Sequence, residues 1–385
     1  MFSSRLPDDL RPNPLAEALA RRRAAGLPVI DLTLSNPTRA GFDYPRDLPA
    51  ALADPGGLVY EPAPLGLPAA RAAVSTFLGT RACTVEPERI ALVSSTSEAY
   101  AGLLKLLCDA GDEVLVPTPS YPLVEYLARL ELVRPVPYRL EYAGRWSIDF
   151  DSLERALTSR TRAVIVVSPN NPTGNWTAGT ELRRLVELAA SRDLAIVADE
   201  VFADYPFDEA PDPPASVLDQ REALAFSLGG LSKSAGLPQL KLSWIAAAGP
   251  PPAVEAALRR LEVICDSYLS VSTPVQLALG ALLAAGAGVR DAIRARVRSN
   301  RDRLARLVAG SPATLLAAEG GWYAVLEVPA PNGEEALALD LLERDGVLVH
   351  PGYLFDFERE AFLVIGLLAP EADLESGVRR LLERL

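Results

Sequence analysis

From Ile90 onward the chain alternates short apolar runs with amphipathic ones, and this alternation restricts the fold more than any other feature. Strand-like runs lie at 90–93, 113–116, 133–138, 163–167 and 194–198, and helix-like runs at 97–110, 123–131, 150–157 and 178–191. Fully apolar strands alternating with amphipathic helices predict an α/β fold with a mostly parallel sheet covered by helices on both faces. In such a sheet, ligands bind at the C-terminal ends of the strands. The unusual residues of this chain fall at those ends. Ser94-Ser95-Thr96-Ser97 follows the first run, Pro117 to Tyr121 the second, and Ser168-Pro169-Asn170-Asn171-Pro172-Thr173-Gly174 the fourth. Asp199-Glu200 follows the fifth, and a further run at 223–228 leads into Gly229-Gly230-Leu231-Ser232-Lys233. Five polar endings on one sheet edge predict a site.

Each ending has a chemical reading and a plainer one. Ser95, Thr96 and Ser97 put hydroxyls and N–H groups at a helix start, which suits a phosphate, but the same residues cap helices. Asp199 ends an apolar strand, so its carboxylate needs a cationic partner. That partner is a protonated ring nitrogen or a nearby arginine. Asn171 can hydrogen-bond a ring oxygen or close an Asx turn. Tyr121 can stack on a ring or fill a core. Lys233, among small residues, can form a Schiff base if it is desolvated, or sit solvated in a glycine-rich loop. Taken together, the first readings describe a site for pyridoxal 5'-phosphate (PLP).

The rest of the chain narrows the alternatives. With 385 residues, one large and one small domain are expected: a segment 1–44 that joins the small domain, a large domain 45–270, and a small domain completed by 271–385. Asn13-Pro14 opens the first helix, a long helical pattern spans 273–309 with Gly286 and Gly288 breaking or bending it, and 211–214 reads as an exposed loop. The net charge of −12 argues against nucleic acid or an anionic membrane as partner. Residues 1–9 lack the apolar core of a signal peptide, and the apolar run 277–289 is short for a bilayer, so a cytoplasmic location is expected. Cys83, Cys108 and Cys265 match no metal motif and read as buried thiols. With His350 the single histidine, no metal site is expected, and proton transfer falls to lysine, carboxylate, tyrosine or a cofactor.

The motifs resemble those of the class I/II aminotransferase family of fold-type I PLP enzymes over nearly the whole chain. They are Ser35-Asn36-Pro37-Thr38, Tyr60 with Gly66 and Arg71, Pro119-Ser120-Tyr121, Asn170 to Gly174, Asp199-Glu200-Val201-Phe202, Leu231 to Gly236, and Val349-His350-Pro351-Gly352. The resemblance implies a central sheet covered by helices and a smaller α+β domain built from both chain ends. It further implies that Lys233 holds PLP and shuttles a proton, Asp199 keeps the ring nitrogen protonated, and Asn171 bonds the ring oxygen. Tyr121 stacks on the ring, and Ser95, Thr96, Ser97, Ser232 and Lys241 surround the phosphate. Tyr60 reaches the cofactor of a neighbouring subunit, which implies a homodimer with shared sites.

The resemblance has four gaps. Phe202 stands for the usual tyrosine, Gly230 for a serine, Lys241 for an arginine, and Val364 for the arginine that clamps a substrate carboxylate. The substrate pocket is then expected from Ser35, Asn36, Arg39, Asn171, Tyr323 and Val364. Arg39 is either the replacement clamp or a surface arginine. The implied reaction moves an amino group from an amino acid or amine to a keto acid through a Lys233 Schiff base. A PLP-dependent lyase or decarboxylase, or a non-catalytic PLP-binding protein, would share these motifs.

Overall fold

Asn13 accepts the Ala16 N–H and Pro14 occupies the first turn, so helix α1 (Pro14–Ala24) begins where that pair predicts. The computed structural model describes residues 2–7, 9–207 and 215–385, and the loop expected at 211–214 lies outside them. After β1 (Ile30–Asp31) and α2 (Pro68–Gly79) the alternating region starts. It runs β2 (Ile90–Val93), α3 (Thr96–Leu107), β3 (Glu113–Thr118), α4 (Leu123–Leu130), β4 (Arg134–Tyr142), β5 (Trp146–Ile148) and α5 (Phe150–Ala156). It continues through β6 (Thr161–Val167), α6 (Gly179–Arg192), β7 (Ala195–Asp199), β8 (Ala225–Gly230), α7 (Leu231–Ser234) and β9 (Ser243–Ala248).

These strands form one eight-stranded sheet in the order β2-β9-β8-β7-β6-β3-β4-β5. The pairs β8/β7, β7/β6, β6/β3 and β3/β4 are parallel, while β9 runs against both its neighbours and β5 runs against β4. The sheet is therefore mixed. Only residues 143–145 separate β4 from β5, too few for a crossover, so that pair can only be a hairpin. β9 returns directly through the Lys233 segment, with no helix crossing a sheet face, and pairs Gly230 with Ser243. Because β2, β3, β6, β7 and β8 all point the same way, their C-terminal ends share one edge.

The chain goes on through α8 (Pro251–Tyr268), α9 (Thr273–Val308), β10 (Thr314–Leu315), β11 (Tyr323–Glu327), α10 (Glu334–Asp340), β12 (Val347–Leu348), β13 (His350–Pro351), β14 (Phe362–Gly366) and α11 (Glu371–Leu382). A second sheet, β10-β11-β14-β13, is antiparallel, and β1 pairs with β12 across more than 300 residues. Leu15, Ala18 and Leu32 from the N-terminal segment share a core with Leu363, Ile365 and Val378. The alternate residues of β14, Phe362 and Val364, face the other way, into a core with Leu115, Tyr138 and Val164 of the large sheet. Strand β14 is thus buried on both faces.

Helix α9 runs 36 residues without the expected break at Gly286 or Gly288. Although it is long enough to span a bilayer, its apolar residues Val275, Leu279, Leu282, Val289 and Ile293 are buried in two cores of the chain. Gly286 serves packing: a Cβ there would lie 2.4 Å from the Ala235 Cβ, against the segment that carries Lys233. Gly288 faces open space. Cys83 and Cys265 are buried, Cys108 is half-buried, and all three are free thiols. Gly286→Ala should therefore destabilise the fold by about 1–3 kcal/mol through overpacking. Gly288→Ala should be neutral or stabilising by up to about 1 kcal/mol. Urea unfolding of the two variants checks the contrast.

Candidate active site

Lys233 lies in the one-turn helix α7 where β8 ends. Its backbone is held from several sides. The Tyr205 hydroxyl donates to the Lys233 carbonyl, Arg81 donates to the Ser234 Oγ at 3.1 Å, and Arg290 donates to the Ser234 carbonyl at 3.1 Å. Arg81 is itself fixed by a bidentate pair with buried Asp204. Lys233 Nζ lies 4.5 Å from the Trp322 ring centroid and 5.3 Å from that of Phe202. It has no ion pair among the described residues. Ring faces attract a cation, yet burial outweighs that attraction and the field of Asp199, and the lysine pKa falls to about 8.

Asp199 ends β7, beside β8 in the sheet, and Asp199 pairs in register with Leu228. Its Oδ1 accepts the Val201 N–H at 3.2 Å and its Oδ2 accepts the Tyr100 hydroxyl at 3.2 Å. Burial still dominates, and the carboxyl pKa rises to about 6. The two opposite charges are therefore both pushed toward neutrality, because their mutual attraction does not repay desolvation. Both side chains keep part of their surface exposed. Its sequence neighbour Glu200 is structural, accepting from Ser227 Oγ, Ser216 Oγ and the Val217 N–H.

Asn170 ties two loops together. Its Nδ2 donates to the Pro119 carbonyl and to Thr173 Oγ1, and its Oδ1 accepts from Ser120 Oγ. Gly174, with φ +71, leaves room for 318–320, and its carbonyl accepts the N–H groups of Glu319 and Gly320. This clasp brings Trp322 and Tyr323 of the second sheet over the first. The Tyr323 hydroxyl meets the side chains of Ser35 and Asn171, and burial raises its pKa to about 12. The Asn171 Oδ1 is buried without a partner. Tyr121 is 53% exposed and lines a cleft of about 910 Å³ with Ser120, Glu125, Arg139 and Asp356.

At the start of α3 the Ser95 Oγ accepts the Glu98 N–H, so the capping reading holds for that side chain. The hydroxyls of Thr96 and Ser97 make no hydrogen bond among the described residues. Ser232 is half-buried beside Lys233, and Lys241 is exposed with a left-handed φ of 51°. Gly230 has a packing cause: a Cβ there would lie 2.3 Å from Ser243 Oγ on the paired strand. Asn36 caps the 37–39 turn by accepting from Thr38. Arg39 is exposed and unpaired among the described residues. Val364 is fully buried and lies in register with His350, whose ring rests edge-on against Phe355. Tyr60, 70% exposed, takes no part in this cluster within one chain.

Sequence reasoning missed Trp322, Tyr205, Arg81 and Tyr100. Trp322-Tyr323 following Gly320-Gly321 was the one available signal; the others read as ordinary core or surface residues. The geometry fits a flat, phosphorylated pyridine. A half-buried carboxylate without a cation in contact, free hydroxyls at a helix start and a neutral-leaning lysine each match one of its edges, and Asn171 lies close by with its Oδ1 unpartnered.

The family model for aminotransferases of class I and II matches residues 38–381. The chain is 29% identical over 380 residues to the alanine aminotransferase of Mycobacterium tuberculosis, covering 96% of this chain and 88% of that one. It is 28% identical over 369 residues to the glutamate-pyruvate aminotransferase of Escherichia coli K12, covering 91% and 88%. Its fold matches that of an alanine aminotransferase from Pyrococcus furiosus with a TM-score of 0.90 at 23% identity, covering 100% and 99%. The chain belongs to the class I and II aminotransferases, a family that typically uses PLP.

The site electrostatics fix how stability depends on pH in the ligand-free protein. The folded pKa of Asp199, about 6, lies above its ordinary 3.8, so its stabilising contribution is full below 3.8 and is lost as pH rises through 6. The folded pKa of Lys233, about 8, lies below its ordinary 10.5, so its penalty is full below 8 and disappears as pH climbs to 10.5. Both penalties coincide between pH 6 and 8. The double variant Asp199→Asn/Lys233→Met should be more stable than the wild type at pH 7, by about 1–4 kcal/mol. Urea unfolding without cofactor measures the difference.

Proposed function

We propose that this transaminase binds PLP covalently through Lys233 and moves an amino group from an amino acid to a small 2-oxo acid. The single observation that carries the reading is Lys233 itself: half-buried, in no ion pair among the described residues, with its pKa lowered to about 8 and the carboxylate of Asp199 at the end of the next strand. A lysine that is neutral in part at physiological pH is a competent nucleophile toward an aldehyde. PLP, when bound, supplies an electron sink that makes the substrate Cα–H acidic.

The chain's residues supply the remainder. Lys233 Nζ takes up and returns the Cα proton. Asp199 holds the ring nitrogen in its protonated form, and Asn171 meets the ring oxygen. Tyr121 stacks on the ring. Thr96 and Ser97, with Ser95, Ser232 and Lys241 around them, hold the phosphate against the start of α3. Phe202 and Trp322 keep bulk water from Nζ. Tyr60 serves the site of a second copy. Leu58, Val59, Tyr60, Tyr268 and Leu269 are all exposed, and this supports a homodimer in which such surface is covered.

The substrate side departs from an arginine clamp on β14, because Val364 lies in an apolar core with Phe355 and Phe362. Arg39, four residues after Ser35, exposed and without an ion pair among the described residues, is the residue we assign to the donor carboxylate. The name of the E. coli relative favours glutamate and pyruvate as a donor–acceptor pair, and that of the M. tuberculosis relative favours alanine, the amino acid formed from pyruvate, as product or as donor in the reverse direction.

Borohydride reduction after incubation with PLP should leave the adduct on Lys233 by peptide mass mapping. Lys233→Ala should lose that adduct and lower turnover on the order of 10²–10⁴-fold. Label on another lysine would refute the assignment. Arg39→Ala should raise KM for alanine tenfold or more, about the loss expected for one charge-assisted hydrogen bond. An unchanged KM would remove Arg39 from the carboxylate and favour donors that lack one.

A further inference from the structure

We infer that Tyr100 is a positioning residue for the cofactor ring: it holds Asp199 ionised and aimed at the ring nitrogen. The inference rests on the cofactor reading above and adds a residue that neither motif nor family pattern singles out. Tyr100 lies one turn into α3 and is buried. Its hydroxyl donates to Asp199 Oδ2 at 3.2 Å, while Oδ1 takes the Val201 N–H. Each carboxylate oxygen thus has one fixed donor, which sets the plane of the group and leaves lone pairs for a third.

The phenol is a dependable donor. Burial and the adjacent Asp199 both raise its pKa well above the ordinary value, so it stays protonated throughout the working range. The carboxyl is the weak partner. Burial alone drives it toward the acid form, and the two donors and the field of Lys233 oppose this. A protonated Asp199 could not retain a proton on a pyridine nitrogen. Removing the Tyr100 donor shifts that balance the wrong way.

Helix α3 makes the placement economical. Its first residues, Thr96 and Ser97, are the anion turn, and Tyr100 follows about 6 Å along the axis from Thr96. One rigid helix therefore sets both the phosphate end and, through Tyr100, the nitrogen end of the same ligand.

The test compares affinity for PLP with affinity for its analogue carrying CH in place of the ring nitrogen. The wild type should bind PLP more tightly. Tyr100→Phe should lose on the order of tenfold in PLP affinity and leave the deaza analogue unchanged. In ligand-free protein, carbon-13 NMR of the Asp199 carboxyl should titrate at higher pH in Tyr100→Phe than in wild type. Difluorotyrosine at position 100, a stronger donor, should move both readouts the other way, which covers a phenylalanine variant that folds poorly. Equal losses for both ligands, or a wild-type preference that survives Tyr100→Phe with an unmoved Asp199 titration, would overturn the inference while leaving the cofactor reading intact. A wild type that binds neither ligand would bring down the cofactor reading, and the inference with it.

Discussion

The buried charges of Asp199 and Lys233 are the constraint on which the rest of the structure depends. They sit at the ends of adjacent strands, each desolvated and neither in direct contact with the other. A fold does not keep such a pair for stability, since apolar replacements would serve better. The surroundings are arranged to hold it: Tyr205, Arg81 and Arg290 on the lysine segment, Tyr100 and Val201 on the carboxylate. Gly286 lets the longest helix lie against that segment from behind. A ligand that bonded to the amine and offered the carboxylate a proton donor would relieve both penalties together.

The sheet and its edge were legible because apolar strands and amphipathic helices differ in period, and because polar residues at strand ends stand out against apolar runs. The reversal of β9 was not legible, since strand direction depends on where a connection packs and not on the residues within the strand. The role of Gly286 was hidden for a similar reason: in sequence it resembles a helix break, and only its contact with Ala235 reveals it as a packing necessity. Lys233, Asp199 and Asn171 could be named as candidates because each follows a strand in a recognisable run. Trp322 could not, because the clasp that brings it over Lys233 joins segments about 140 residues apart. Tyr100 sits at helical spacing among apolar neighbours, which is how any core tyrosine looks.

Val364 shows how completely an apolar side chain at one position can be absorbed by the core. Strand β14 is sandwiched between two apolar cores, and its register with β11 and β13 is unbroken. A charged side chain there would lie buried among apolar neighbours, which valine avoids. On the N-terminal segment, Ser35 meets the Tyr323 hydroxyl just ahead of the turn that carries Arg39.

The clasp between Gly174 and 319–321 also determines how the two sheets can move. The Gly174 carbonyl accepts two N–H groups, Phe207 donates to Glu319, and Gly321 donates to Tyr205. A swing that separated the sheets at this point would break four backbone hydrogen bonds at once. Any breathing of the cleft therefore pivots here, like a door on its pin. Tyr205, whose carbonyl belongs to this clasp, also ties its hydroxyl to the Lys233 carbonyl. The lysine segment and the hinge of the two sheets therefore share one fixed corner.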